Sequence, residues 1–244
     1  MQLKLTFDIP NNLTLPLGHH AALQGFIYHL LRENTSYADF LHDEGYPDGA
    51  HKFKLFVFGS LKGKHSISNK KITYYDKVSL EVRSPKKDFC NIIMQALQTA
   101  DSMQLFHQEI YLSNCVFSKH IITESDVNII MQSPITLSTT YYENEKKKTR
   151  YISPVDSDFL SAFAHNIESK YRAAFQKDLP SVITIEPIEF NDSQKYVTKF
   201  NNIYITSWKG AYRMCGDPEI LTFLYDSGIG SRNSQGFGMF DALK

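Results

Sequence analysis

Twice along this 244-residue chain the spacing of apolar residues alternates between a period of two and a period near 3.6, and both times in the same order. Strands place side chains on alternating faces and helices repeat them at i, i+3 and i+4, so this order limits the fold more than composition does. Residues 2–9 read as a strand. In "PLGHHAALQGFIYHLLREN", Leu23, Phe26, Ile27, Leu30 and Leu31 keep helical spacing. "TSYADFLHDEG" reads as a short second helix, capped by Thr35 or Ser36 and ended by Gly45. "KFKLFVFGSL" and "KITYYDKVSLEVRS" alternate as strands, "SPKKDFCNIIMQALQTAD" is an amphipathic helix, and "EIYLSNCVFSK" is a strand. The second half repeats the order. "DVNIIMQSPITLSTTYY" is a strand region that "KTRYISP" extends as a hairpin. A long helix follows, capped near Asp156 or Ser157; then come the strands "SVITIEPIEF", "QKYVTKF" and "IYITSWKGAYRM". A short helix, "DPEILTFLYDSG", is capped by Asp217 with Pro218 at its first position, and "GFGMFDAL" closes the chain as a strand. Strand-helix-strand-strand-helix-strand, twice, predicts an α+β protein of two tandem ferredoxin-like (βαββαβ) units. The division is expected in "ITESD", giving units at 1–123 and 124–244.

Composition closes several other routes. No apolar run reaches the roughly 18 residues a membrane helix needs. The start, "MQLKLTFDIPNN", is no signal peptide, because it lacks a basic segment followed by an apolar one. Cys90, Cys115 and Cys215 are odd in number and scattered, which suits a reducing cytoplasm and offers no zinc spacing. The adjacent His19 and His20 would point in different directions on a helix, so neither a metal nor another cofactor is expected. Net charge is zero, which taken alone argues against a nucleic-acid partner. The charge is unevenly spread, however. Residues 49–75 hold six lysines and two histidines without a single carboxylate, interleaved with Phe53, Phe56, Phe58, Tyr74 and Tyr75. Cations beside aromatics are what a surface needs to track phosphates and stack bases. A second basic run, Lys146 to Lys148 with Arg150, reads equally well as a solvated loop tip.

Glycine is also unevenly spread. After Gly63 the next is Gly210, yet Gly228, Gly230, Gly236 and Gly238 crowd into "DSGIGSRNSQGFGMF". No Gly-Lys-Ser/Thr follows, so this is not a P-loop. The segment follows a helix and precedes a strand, which is the wrong setting for a dinucleotide fingerprint. Two readings stand: a backbone nest for an anion or a closely approaching RNA chain, and a flexible C-terminal hairpin.

This closing segment resembles the glycine-rich signature of the CRISPR-associated repeat endoribonucleases, the Cas-six family of the RAMP superfamily. "IYITSWKGAYRMCGDPEILTFLYDSGIG" before it, "SPITL" at the start of the second half, and "QGFIYHLL", "YADFLHDEG" and "KFKLFVFGSL" in the first half resemble that family in order and spacing. The resemblance implies binding of the repeat in CRISPR precursor RNA and metal-independent cleavage. The ribose 2′-OH would attack the adjacent phosphate, leaving a 2′,3′-cyclic phosphate and a 5′-OH. That reaction needs proton transfer and stabilisation of charge on the phosphate. The family's catalytic histidine matches His42, with His51 the competitor; its tyrosine matches Tyr28, to orient or deprotonate the 2′-OH; its lysine matches Lys54, with Lys52 as substitute. If the strand alternates, Lys54, Phe56 and Phe58 share one side. Gly228, Gly230, Ser231, Arg232, Asn233, Gly236 and Gly238 are expected to contact RNA. The alternative function is a non-catalytic RNA-binding subunit of a CRISPR effector complex. Such a complex and a homodimer are the further partners the resemblance leaves open.

Overall fold

The computed structural model describes residues 1–243. Its first half runs β1 (Gln2–Asp8), β2 (Leu13–Pro16), α1 (His20–Leu31), α2 (Thr35–Asp39), β3 (Tyr46–Asp48), β4 (His51–Phe53), β5 (Val57–Phe58), β6 (His65–Ser68), β7 (Lys71–Tyr74), β8 (Lys77–Arg83), α3 (Lys87–Thr99), β9 (Met103–Leu105) and β10 (Gln108–Ser118). The second half adds β11 (Asp126–Met131), β12 (Ser138–Glu143), β13 (Lys146–Tyr151), α4 (Phe159–Phe175), β14 (Thr184–Pro187), β15 (Lys195–Phe200), β16 (Ile203–Trp208), β17 (Ala211–Cys215), α5 (Pro218–Ser227) and β18 (Phe240–Ala242).

The main sheets are β5-β8-β1-β10-β9 and β14-β17-β11-β18. In each, the unit's opening strand lies between the third and last strands of the βαββαβ unit, and the second strand takes the edge. This is the ferredoxin-like order, present twice. Alternation sets the packing: Leu3, Leu5 and Phe7 of β1 and Val78, Leu80 and Val82 of β8 are buried against α1 and α3. The second core gathers Ile129, Tyr212 and Met214 of its sheet with Phe163 and Ile167 of α4 and Leu221 and Leu224 of α5.

Local detail departs from the expected elements in several places. α1 begins at His20, because Leu13–Pro16 pairs with β7 instead. The cap of α2 is Asn34, whose side chain accepts from the Tyr37 N–H at 3.0 Å. "KFKLFVFGSL" is not one strand: Leu55 has φ 51°, the ladder breaks, and the alternation expected for Lys54, Phe56 and Phe58 fails. Lys54 is half-buried, whereas Leu55, Phe56, Val57 and Phe58 are all buried. Phe56, Phe58 and Tyr74 are therefore core residues and not a base-stacking surface. Finally, "IYITSWKGAYRM" is two strands that part at Gly210, with β15 and β16 forming a separate hairpin. The cap of α5 is as expected: Asp217 Oδ1 accepts from the Glu219 N–H at 2.8 Å.

Candidate functional site

Beyond α2 the backbone widens. From Phe40 to Glu44 it forms a π turn, closed by the Gly45 N–H donating to the Phe40 carbonyl at 2.7 Å. Such turns free carbonyls that an α-helical ladder would use and redirect the side chains around them. Three consecutive carbonyls there accept from side chains. Leu41 takes the Tyr28 hydroxyl (3.4 Å), His42 the Lys54 ammonium (2.8 Å) and Asp43 the Lys52 ammonium (3.1 Å). Leu41 is buried and anchors the turn, while the His42 side chain is 73% exposed. Its ring meets the Tyr28 ring edge-on, with centroids 5.8 Å apart. Its Nδ1 lies 2.6 Å from Asp43 Oδ1, which leaves Nε2 as the nitrogen available for proton exchange. Tyr28, His42, Lys52 and Lys54 thus form one cluster.

Burial pushes the Tyr28 phenol up to about 12, so at neutral pH it holds its proton and acts as a donor. Burial, with the Lys52 charge as a second cause, lowers the Lys54 ammonium from its ordinary value. Both lysines are positioned by the β3–β4 hairpin, which docks on α4. Asp48 accepts from Arg172 Nε and Nη2, each at 3.1 Å, and from Ser169 Oγ at 2.5 Å. Hydrogen bonding from Arg172 holds the Asp48 carboxyl below the usual carboxylate range.

The hairpin, α4 and the glycine-rich loop enclose a cleft of about 670 Å³ between the two halves. Lys52 and Lys54 line it together with His51, His165, Asp158 and residues 230–235. Lys54 therefore belongs both to the His42 cluster and to the cleft wall. His51 stands apart from Tyr28: its ring lies 6.2 Å from that of His165, which sequence reading did not single out.

The loop itself is tightly packed. Gly228, Gly230, Gly236 and Gly238 are all buried, and only Ser231 to Gln235 are partly exposed. The portion able to meet a ligand thus narrows from the whole glycine motif to Ser231, Arg232, Asn233, Ser234 and Gln235. The glycines serve packing. A Cβ on Gly228 or Gly238 would come within 2.7 Å of Asn233 Nδ2, and one on Gly238 within 1.9 Å of the Ile229 carbonyl. From the first half, His20 Nδ1 meets the Gln235 carbonyl at 3.2 Å and Gln24 Nε2 donates to the Ser234 carbonyl at 2.8 Å. His20 also stacks on Phe237, and burial pushes its imidazole down to about 4. Sequence reading missed His20, Gln24 and Lys170, because partners some 200 residues apart, or 58 in the case of Lys170, leave no local pattern. Among the described residues, no group of three or more His, Cys, Asp or Glu side chains could hold a metal ion.

Two ferredoxin-like units in tandem, with a packed glycine-rich loop closing a basic cleft between them, define the fold and its site. The description "CRISPR associated protein Cas6, C-terminal" matches residues 117–242, and the chain belongs to the Cas6 family. It is 26% identical over 243 residues to "CRISPR-associated endoribonuclease Cas6 1" of Methanocaldococcus jannaschii, covering 98% of this chain and 91% of that protein. It is 23% identical over 229 residues to "CRISPR-associated endoribonuclease Cas6" of Pyrococcus furiosus, covering 92% and 82%. A solved structure described as "CRISPR associated protein Cas6" superposes with a TM-score of 0.82 at 25% identity, covering 100% and 99% of the two chains.

Proposed function

We propose that this chain binds the repeat of CRISPR precursor RNA and cleaves it without a metal, by attack of a ribose 2′-OH on the adjacent phosphate. The observation that carries this reading is the convergence of Tyr28, His42 and Lys54 where the π turn meets the cleft. Asp43 holds Nδ1 of His42, so Nε2 can take the 2′ proton or return one to the leaving 5′ oxygen. The Lys54 ammonium stabilises charge building on the phosphate. Tyr28, protonated, orients the 2′-OH by turning its one hydroxyl proton from the Leu41 carbonyl to the ribose, and does not deprotonate it. Lys52 and the loop residues Ser231 and Arg232 hold the RNA backbone in line for attack, while Asn233, whose side-chain amide is taken up inside the loop, shapes it. Gly228, Gly230, Gly236 and Gly238 set the shape of that loop.

The same reading divides the labour between residues 1–123, which cut, and 124–244, which position. On this reading the division lies in the connection between β10, which ends at Ser118, and β11, which begins at Asp126. It places the reaction in the cytoplasm, where the transcript is made. It includes product hand-over to an effector complex and pairing of two copies, both read by light scattering with and without RNA.

The test is cleavage of a labelled RNA carrying one repeat. Cutting persists in EDTA and vanishes when the 2′-OH at the cut site is replaced by hydrogen; dependence on magnesium overturns the mechanism. His42→Ala is expected to lower the cleavage rate at least about 100-fold while the repeat still binds. Full activity in that variant moves the proton transfer to His51.

A further inference from the structure

Lys170 lies on α4 with its side chain 1% exposed, beneath the glycine-rich loop. Among the described residues no carboxylate forms an ion pair or hydrogen bond with it. Its ammonium instead donates to the Gly228 carbonyl (2.6 Å), the Gly230 carbonyl (3.2 Å) and Asn233 Oδ1 (2.8 Å). Three acceptors match the three donors of a protonated lysine; a neutral amine would leave one acceptor unmet. Asn233 continues the network inward, its Nδ2 donating to the Ile229 carbonyl (2.9 Å) and the Phe237 carbonyl (3.0 Å). The space this amide occupies is the space that Gly228 and Gly238 leave by having no Cβ. The motif is thus built around one buried cation and one amide.

The arrangement has an electrostatic consequence. A loop that meets a phosphate chain must not present its carbonyl oxygens to it, because those oxygens are the negative ends of the peptide dipoles. Lys170 and Asn233 turn four of them inward, at Gly228, Ile229, Gly230 and Phe237, while Gln24 and His20 take those of Ser234 and Gln235. What remains toward the cleft is Arg232 with neighbouring hydroxyls and amides. Burying a lysine without a carboxylate is costly, and here burial pushes its pKa down to about 7.

We propose that Lys170 is a positioning residue for RNA: its ammonium gathers the carbonyls of the glycine-rich loop beneath the surface and fixes the face that the loop turns to the RNA backbone. This rests on the reading above, that the loop binds repeat RNA.

The test is steady-state cleavage of the labelled repeat RNA by wild type, Lys170→Met, Asn233→Ala and Arg232→Ala, with thermal midpoints measured alongside. Lys170→Met is expected to raise KM at least about tenfold and keep kcat within about twofold. A variant that had merely lost folded protein would show the reverse, a lower apparent kcat at unchanged KM. Asn233→Ala leaves the ammonium two carbonyl acceptors and is expected to raise KM in the same way. The double variant Lys170→Met/Asn233→Ala is expected to be no worse than Lys170→Met alone, as for two residues of one network. Should Lys170→Met fail to fold, the KM rise in Asn233→Ala carries the test. The proposal is overturned if Lys170→Met, or Asn233→Ala in its place, keeps the wild-type KM while Arg232→Ala raises it. An unchanged KM in Arg232→Ala as well would instead overturn the reading of the loop as an RNA contact.

Discussion

At the scale of single residues, the site's histidines divide by environment. His42 is open to solvent beside a carboxylate, whereas His20 is enclosed between α1 and the glycine-rich loop. The His20 pKa falls from 6.5 to about 4 because burial penalises the charged ring, which gives folding a pH dependence of known sign. Above pH 6.5 the ring is neutral in both folded and unfolded chains, and the stabilisation is fully present. Between 6.5 and about 4 the unfolded chain takes up a proton that the native state refuses, so stability falls as pH falls. At about 1.4 kcal/mol per pH unit the loss from this one group is about 3 kcal/mol. His20→Phe keeps the stacking on Phe237 and removes the titration. Its unfolding free energy, from urea titrations between pH 7 and 4, is expected to fall less than that of wild type by about that amount. Parallel curves would mean that His20 is not the titrating group. Tyr28, His42 and Lys54 were legible in the sequence through segments that resemble a known family. Lys170 and His165 were not, since a lysine or histidine inside "FAHNIESKYRAAF" reads as the solvent face of a helix. Only the fold shows that one is sealed beneath a loop and the other faces His51.

At the scale of elements, periodicity found most of the strands and helices that build the two main sheets, because each has a face or stripe to bury; the short β9 went unread. It failed where a tertiary contact overrides local pattern. "KFKLFVFGSL" opens in alternation, yet it breaks at Leu55, whose side chain leaves the first unit to join the core of the second. The π turn at Phe40–Glu44 was read as the end of an ordinary helix, since one wide turn has no periodic signature. The glycine-rich loop was found by composition, but what the glycines do depends on their separate surroundings. Gly238 has φ 80° and no room for a Cβ, so Gly238→Ala is expected to destabilise by more than about 2 kcal/mol and to weaken repeat binding as the loop shifts. Gly25 sits within α1, and a Cβ there would meet nothing within 4 Å, so Gly25→Ala is expected to stabilise by about 0.5–1 kcal/mol and leave binding unchanged. Denaturant titrations with repeat-binding isotherms check both. Equal effects from the two substitutions would count against a loop defined by close packing.

At the scale of the whole molecule, the cleft exists only while the two halves hold a fixed relation, and Arg83 is the clearest tie between them. It ends β8 in the first half, fully buried, and its Nη1 donates to the Phe240 carbonyl (2.6 Å) and its Nη2 to Asp241 Oδ1 (2.6 Å), both on β18 of the second. Glu81 on its own strand accepts from Nε at 2.7 Å, and the guanidinium lies 3.7 Å from the centre of the Tyr225 ring on α5. One planar cation thus meets a carbonyl, two carboxylates and an aromatic face, a combination that lysine could not satisfy. Removing it strands the partly buried Glu81 and takes the bridge from Asp241, a loss on the order of 3–5 kcal/mol for a buried pair broken on one side. Because that energy joins the two units, its loss falls on their coupling. Wild type is expected to unfold in one calorimetric transition, with the van't Hoff and calorimetric enthalpies in agreement. Arg83→Met is expected to unfold in two, the earlier at least several degrees below the wild-type midpoint, and to bind the repeat weakly because Lys54 and the loop no longer face one cleft. A single transition in Arg83→Met at the wild-type midpoint would place the coupling elsewhere, in the β3–β4 hairpin that Asp48 and Arg172 dock onto α4.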